Sequence, residues 1–187
     1  MTDTGEAAGG AAGIRNRTAG AAVVGLGAAF LAVCSWITVP GAVPFTAQTF
    51  GVFLVLKVLG GGRGTAAVAL YIALGAVGLP VFSGFGSGLG TLSGPTGGYI
   101  AGFLATALIY RLLFPNRRKA AAEAAVCIAG LAACYALGTA WFSVRTRTPA
   151  PQALLLCVAP YVIPDLVKLS AATLVSGRLV KIIKRFQ

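Results

Sequence analysis

The chain has 187 residues, 57% of them hydrophobic and only 10% charged, against roughly 25% charged in a soluble domain, so lipid is the solvent for most of it. At about 20 residues per crossing, five or six spans nearly exhaust the length, and little remains for a domain outside the membrane. The formal net charge of +11 does not point to nucleic acid, because the Lys and Arg residues sit in short clusters between apolar runs rather than in one basic region interleaved with aromatics.

Residues 1–17 are polar and rich in small side chains, which predicts a disordered cytoplasmic tail ahead of a single membrane domain over 18–187. The first span, 18–39, carries Gly25 with Ala29 and Ala28 with Ala32, overlapping small-xxx-small pairs that give a helix one flat face. That face suits either another subunit or a neighbouring helix. Pro40 to Pro44 forms an uncharged turn, and Phe45-Thr46-Ala47-Gln48-Thr49-Phe50 opens a second span, 45–59. The two threonines fit capping and back-bonding to the main chain, whereas a buried Gln48 amide needs partners or a ligand.

The link Gly60-Gly61-Gly62-Arg63-Gly64 lacks the G-K-[ST] ending of a phosphate loop and reads as a basic cytoplasmic turn, to which Lys57 can snorkel. Span three, 65–79, contains Tyr71. The segment Pro80 to Pro95 has Gly at 84, 86, 88, 90 and 94 and no charge. It is too apolar for a solvated linker and too rich in glycine for a stable helix, which predicts a loop folded back on the bundle mouth with Phe82 and Phe85 covering something apolar.

Gly97 and Gly98 clear side chains from the start of span four, 96–114, where Tyr99 is either an interfacial anchor or part of a site. Arg111, Arg117, Arg118 and Lys119 close that span. Span five, 120–141, contains Tyr135, and Glu123 is expected to pair with Lys119 one turn away. The last span, 153–178, is broken near 160–164 by Pro160 and Pro164 and leads into a basic tail with Lys181, Lys184 and Arg185.

Six spans put both termini on one side, and only Arg145 and Arg147 fall on the other. The positive-inside bias therefore predicts an all-α integral membrane protein, a compact six-transmembrane-helix bundle with cytoplasmic termini. Cys34, Cys127, Cys134 and Cys157 lie in apolar runs without metal-ligand spacing and read as core packing. The chain has no His, no paired acids and no nucleotide motif, which argues against an enzyme, a metal or cofactor site, and ATP-driven work by this chain alone.

Asp165 and Lys168, just after Pro164, share one helix face. In lipid such a pair is expensive and reads as a functional site, with pure scaffolding as the alternative. Lys168 suits a carboxylate, while Asp165 either orients Lys168 or accepts substrate N–H groups. The predicted topology gathers Asp165, Tyr99, the glycine-rich segment and residues 44–49 at the outer face, as a solute pocket requires.

Three segments carry a resemblance: V-P-F-T-A-Q-T-F (43–50), G-L-P-V-F-S-G-F-G-S-G-L-G-T-L-S-G-P-T-G-G-Y (78–99) and P-Y-V-I-P-D-L-V-K (160–168). They resemble the signature segments of the BioY family, the biotin-specific substrate-binding component of energy-coupling factor transporters. The family pattern places a Gly between the last Pro and the Asp, whereas here Pro164 abuts Asp165. The resemblance implies that Asp165 and Lys168 give polar contacts to biotin, with Tyr99, Gln48, Thr46, Phe45, Phe85 and Tyr161 completing the site. It also implies that Gly25, Ala28, Ala29 and Ala32 dock a transmembrane coupling subunit driven by two cytoplasmic ATPases in a bacterial cytoplasmic membrane. The alternatives are a component for another vitamin or small carboxylate, a solitary facilitator, and a structural membrane protein.

Overall fold

The computed structural model describes residues 4–41, 43–114 and 120–185. Helix α1 runs Thr4–Trp36, so the stretch expected to be a disordered tail is helical from Thr4. Its alanines at 7, 8, 11 and 12 are the residue type with the strongest helix preference. Two-residue strands β1 (Thr38–Val39) and β2 (Phe45–Thr46) follow, paired antiparallel with Thr38 opposite Thr46 and Val39 opposite Phe45. This small hairpin departs from the all-α expectation. Val39 and Val43 each precede a proline, which biases them towards extended backbone.

Helix α2, Gln48–Ala76, is broken at Gly60 (φ 78°, ψ 170°), a conformation that glycine adopts without penalty. Its arms, 48–59 and 61–76, lie side by side. Gln48 Nε2 donates to Tyr71 Oη across them at 2.6 Å, and a Cβ on Gly64 would stand 3.0 Å from Leu56 Cα. The link expected over 60–64 thus shrinks to one non-helical residue.

The glycine-rich segment also holds more helix than expected, with a 3₁₀ turn at Ser83–Phe85 and a short helix α3 at Gly88–Ser93. Tertiary contact overrides propensity here, because α3 rests Leu92 against Gly97 so closely that a Cβ there would collide. Helices α4 (Gly97–Leu113) and α5 (Ala120–Thr146) pair tightly. A Cβ on Gly102 would lie 2.7 Å from Cys134 Sγ and 2.9 Å from its Cα, and Thr106 Oγ1 donates to Gly130 O at 2.8 Å. The last expected span is α6 (Ala150–Cys157) and α7 (Val162–Arg185), bent by 46° at the break between them.

By length and composition, three helices among the described residues are able to cross a membrane: residues 18–36 of α1, α2 and α5. The bent α6–α7 pair makes a fourth candidate. Helix α2 forms the centre, packed by α1, α4 and α7 around fully buried Leu31, Phe53, Leu56, Val68, Tyr71, Tyr110 and Cys127.

Lys57 does not snorkel. It is 3% exposed, with Nζ 3.3 Å from Glu123 Oε2, and Tyr110 Oη donates to Glu123 Oε1 at 2.6 Å. The side chain points from the first arm of α2 towards α5, and a charge in a bundle interior requires a partner. Lys119, the partner expected for Glu123, lies outside the described residues. Lys57→Met leaves the Glu123 carboxylate without its cation and is expected to destabilise the bundle by about 3–5 kcal/mol, whereas Lys57→Met with Glu123→Leu recovers most of that. Thermal unfolding midpoints in detergent compare the two; equal losses in both variants would refute this role of the pair.

Candidate functional site

A cavity opens at the end of the bundle where α2, α4 and α7 begin. Its polar wall comes from α7. Pro164 and Asp165 fall in the first turn, where a carboxylate complements the helix dipole. One turn on, Lys168 Nζ donates to Asp165 Oδ1 at 2.8 Å and to Thr46 O at 2.7 Å. The ammonium also lies 3.8 Å from the centre of the Phe45 ring, a cation–π contact. Tyr135 Oη, on α5, donates to Asp165 Oδ2 at 2.6 Å. Both carboxylate oxygens are therefore engaged, and Asp165 is 4% exposed.

A second polar group lies on α2, where the Gln48–Tyr71 bond joins the two arms. The Gln48 backbone N–H donates to Thr46 Oγ1 at 3.2 Å, which ties the start of α2 to β2. Between the polar groups the lining is largely apolar or aromatic, with Phe82, Ile100, Phe103 and Leu131. Tyr99 forms part of the wall, its hydroxyl 3.1 Å from Thr139 Oγ1. Tyr161 bonds Val43 O through its hydroxyl and stacks on Phe45 with ring centres 6.1 Å apart.

Asp165, Lys168, Tyr99, Gln48, Thr46 and Tyr161 thus share one cavity, from elements far apart in sequence. Phe45 backs it through Lys168 and Tyr161. Phe85 is not brought to it: this ring is 62% exposed and stacks on Trp36. Phe82 lines the cavity instead, buried edge-on against Tyr71 with ring centres 5.6 Å apart. Tyr71, Tyr135 and Phe82 were not singled out as site residues from sequence. The available signal was that a tyrosine inside an apolar span needs a partner for its hydroxyl.

The four small residues of α1 divide. Ala28 and Ala32 are buried inside the bundle, whereas Ala29 is exposed and a Cβ on Gly25 would meet nothing within 4 Å. The four cysteines are free and buried, and Cys134 and Cys157 line the cavity.

Chemically, the cavity offers one cation, one fully engaged carboxylate, an amide and several phenols around an apolar middle. That inventory suits a solute with a carboxylate at one end and a compact polar head at the other.

Residues 7–185 match the family model described as the BioY family. Among curated proteins, the chain is 43% identical over 159 residues to the biotin transporter BioY of Thermotoga maritima, covering 84% of this chain and 94% of that one. It is 35% identical over 161 residues to the biotin transporter BioY2 of Lactococcus lactis, covering 85% and 88%. Among solved structures, it superposes with a TM-score of 0.81 on the S-component for biotin from an ECF-type ABC transporter. The identity there is 23%, and the match covers 89% of this chain and 93% of that one.

Proposed function

The chain belongs to the BioY family, and on that footing we propose that it captures biotin for uptake as the substrate-binding component of an energy-coupling factor transporter. The observation that carries this reading is the pairing of a Lys168–Asp165–Tyr135 wall with a Gln48–Tyr71 amide–phenol pair around an apolar cavity. Biotin has matching parts: a carboxylate, a ureido head and an apolar bicycle and chain. An ammonium has three N–H donors, and Asp165 and Thr46 take two, leaving one for an arriving carboxylate. Gln48 and Tyr71 face the ureido group, and Tyr99, Tyr161 and Phe82 enclose the rings. Phe45 steadies Lys168 from behind.

In this reading the bundle crosses a bacterial cytoplasmic membrane six times, with the two arms of α2 as separate crossings and both termini in the cytoplasm. The cavity then faces outward under the glycine-rich segment. The chain breaks no bond in its substrate; ATP hydrolysis belongs to two cytoplasmic subunits, and a transmembrane coupling subunit packs against α1 at half-buried Gly25 and exposed Ala29. Biotin binding to the purified chain tests the proposal, with biotin amide as the comparison ligand. Saturable binding of biotin and markedly weaker binding of the amide are expected. Equal affinity for both would remove Lys168 from the carboxylate, and no biotin binding would overturn the substrate.

A further inference from the structure

Helix α5 passes the cavity and ends beyond it. Tyr135 bonds Asp165, Thr139 meets the Tyr99 hydroxyl, and Phe142 packs with Tyr99 and Cys157 of the wall. Arg145 stands in the last turn, about 9 Å beyond Thr139 along the helix axis. Arg147 follows in the turn to α6, and both arginines are exposed.

The turn that presents them is fixed by side-chain hydrogen bonds. Ser143 Oγ donates to Thr148 O at 2.6 Å and Thr146 Oγ1 to Phe142 O at 2.7 Å, while the hydroxyls of Thr146 and Thr148 lie 2.8 Å apart. Arg147 takes φ 55°, the left-handed position after a helix that glycine commonly fills. A residue with a Cβ is disfavoured there, so the backbone gives no reason for an arginine. Arg145 complements the negative end of the α5 dipole; Arg147 lies outside the helix and has no such explanation.

The two cations are also unopposed. Of the four acids in the sequence, Asp165 is the one that the described residues place at the cavity end, and Lys168 neutralises it. Other cations lie towards the opposite end. Lys57 pairs with Glu123 near the start of α5, Arg63 follows the reversal at Gly60, Arg111 sits against Gly61, and Arg178 falls in the second half of α7. No salt bridge among the described residues reaches Arg145 or Arg147. The cavity end therefore carries a net positive field set by these two residues, aimed at any anion that approaches it.

We infer that Arg145 and Arg147 form an electrostatic attractor at the cavity entrance, which draws the ligand's carboxylate towards Lys168 and speeds capture without touching the bound solute. This inference rests on the biotin reading of the cavity. In the proposed orientation the pair also stands against the bias that keeps Lys and Arg on the cytoplasmic side, so its position is not explained by topology. Its signature is kinetic. Charges at the rim of a site act on association and its salt dependence, whereas groups that hold the ligand act on dissociation. The field reaches about 30 Å in 0.01 M salt and about 8 Å at physiological ionic strength.

Stopped-flow binding of biotin to the purified chain in phosphatidylcholine nanodiscs, whose lipids carry no net charge, tests the attractor. Arg145→Gln with Arg147→Gln is expected to lower the association rate about fourfold in about 0.01 M salt, the scale for two unit charges roughly 10 Å from a carboxylate in water. The difference should vanish in about 0.5 M salt, and the dissociation rate should not change. Arg145→Lys with Arg147→Lys keeps both charges and is expected to associate as fast as the unmodified chain. Biotin amide, which is neutral, should associate equally fast with all three proteins. An unchanged association rate in the Gln pair, a loss that persists in high salt, an equal loss for the amide, or an equal loss in the Lys pair would each overturn the attractor. Absence of biotin binding in the unmodified chain would overturn the substrate reading instead.

Discussion

Lys168→Met is expected to weaken biotin binding by about two to three orders of magnitude, the scale for truncating one member of a buried, hydrogen-bonded charge pair. The loss has two parts. The ammonium proposed to meet the ligand carboxylate disappears, and Asp165, 4% exposed, keeps only the Tyr135 hydroxyl as a hydrogen-bond donor among the described residues. Titration calorimetry with biotin and biotin amide separates these parts. The variant should discriminate little between the two ligands, because the group that tells them apart is gone. If Lys168→Met still prefers biotin over its amide as strongly as the unmodified chain does, the carboxylate lies elsewhere in the cavity.

Gly102→Val is expected to abolish the folded bundle, with a penalty of about 3 kcal/mol or more because nothing nearby is free to give way. A Cβ on Gly102 would stand 2.9 Å from Cys134 Cα and 3.1 Å from Cys134 O, so the obstruction is the backbone of α5 rather than a flexible side chain. Close backbone approach of this kind is how helices associate in lipid, where no hydrophobic force drives them together. Gly25→Val is the control. It has open space, and the isolated chain should fold and bind biotin normally while losing activity with the coupling subunit. A monodisperse, biotin-binding Gly102→Val preparation would contradict the α4–α5 packing.

Much of the site could be read from the amino-acid sequence because lipid makes polar residues conspicuous. Asp165, Lys168 and Gln48 stand out in apolar runs, and all three line the cavity. Their protein partners were less legible. Tyr71 and Tyr135 look like ordinary span residues, and nothing local indicates that one bonds Gln48 and the other Asp165 across helices. Lys57 misled for a related reason. Its position near a glycine-rich turn suggested an interface, but the side chain's direction depends on how the first arm of α2 faces α5. Phe82 and Phe85, equally apolar and three residues apart, separate into a buried ring and an exposed one. Their difference follows from the positive φ at Gly84 and Phe85, which no hydrophobic pattern encodes.

The reversal at Gly60 bears on the order in which the protein is assembled. Gln48 and Tyr71 are 23 residues apart, and their two arms turn at one glycine, so this contact closes a short loop with little entropic penalty. Lys168 and Thr46 are 122 residues apart, and the contact has to wait until nearly the whole chain has been synthesised. Growing from its N-terminus, the protein has its amide–phenol pair in place while the Lys168–Asp165 wall is still unmade. The last helix to emerge completes a cavity whose other walls come from elements made before it.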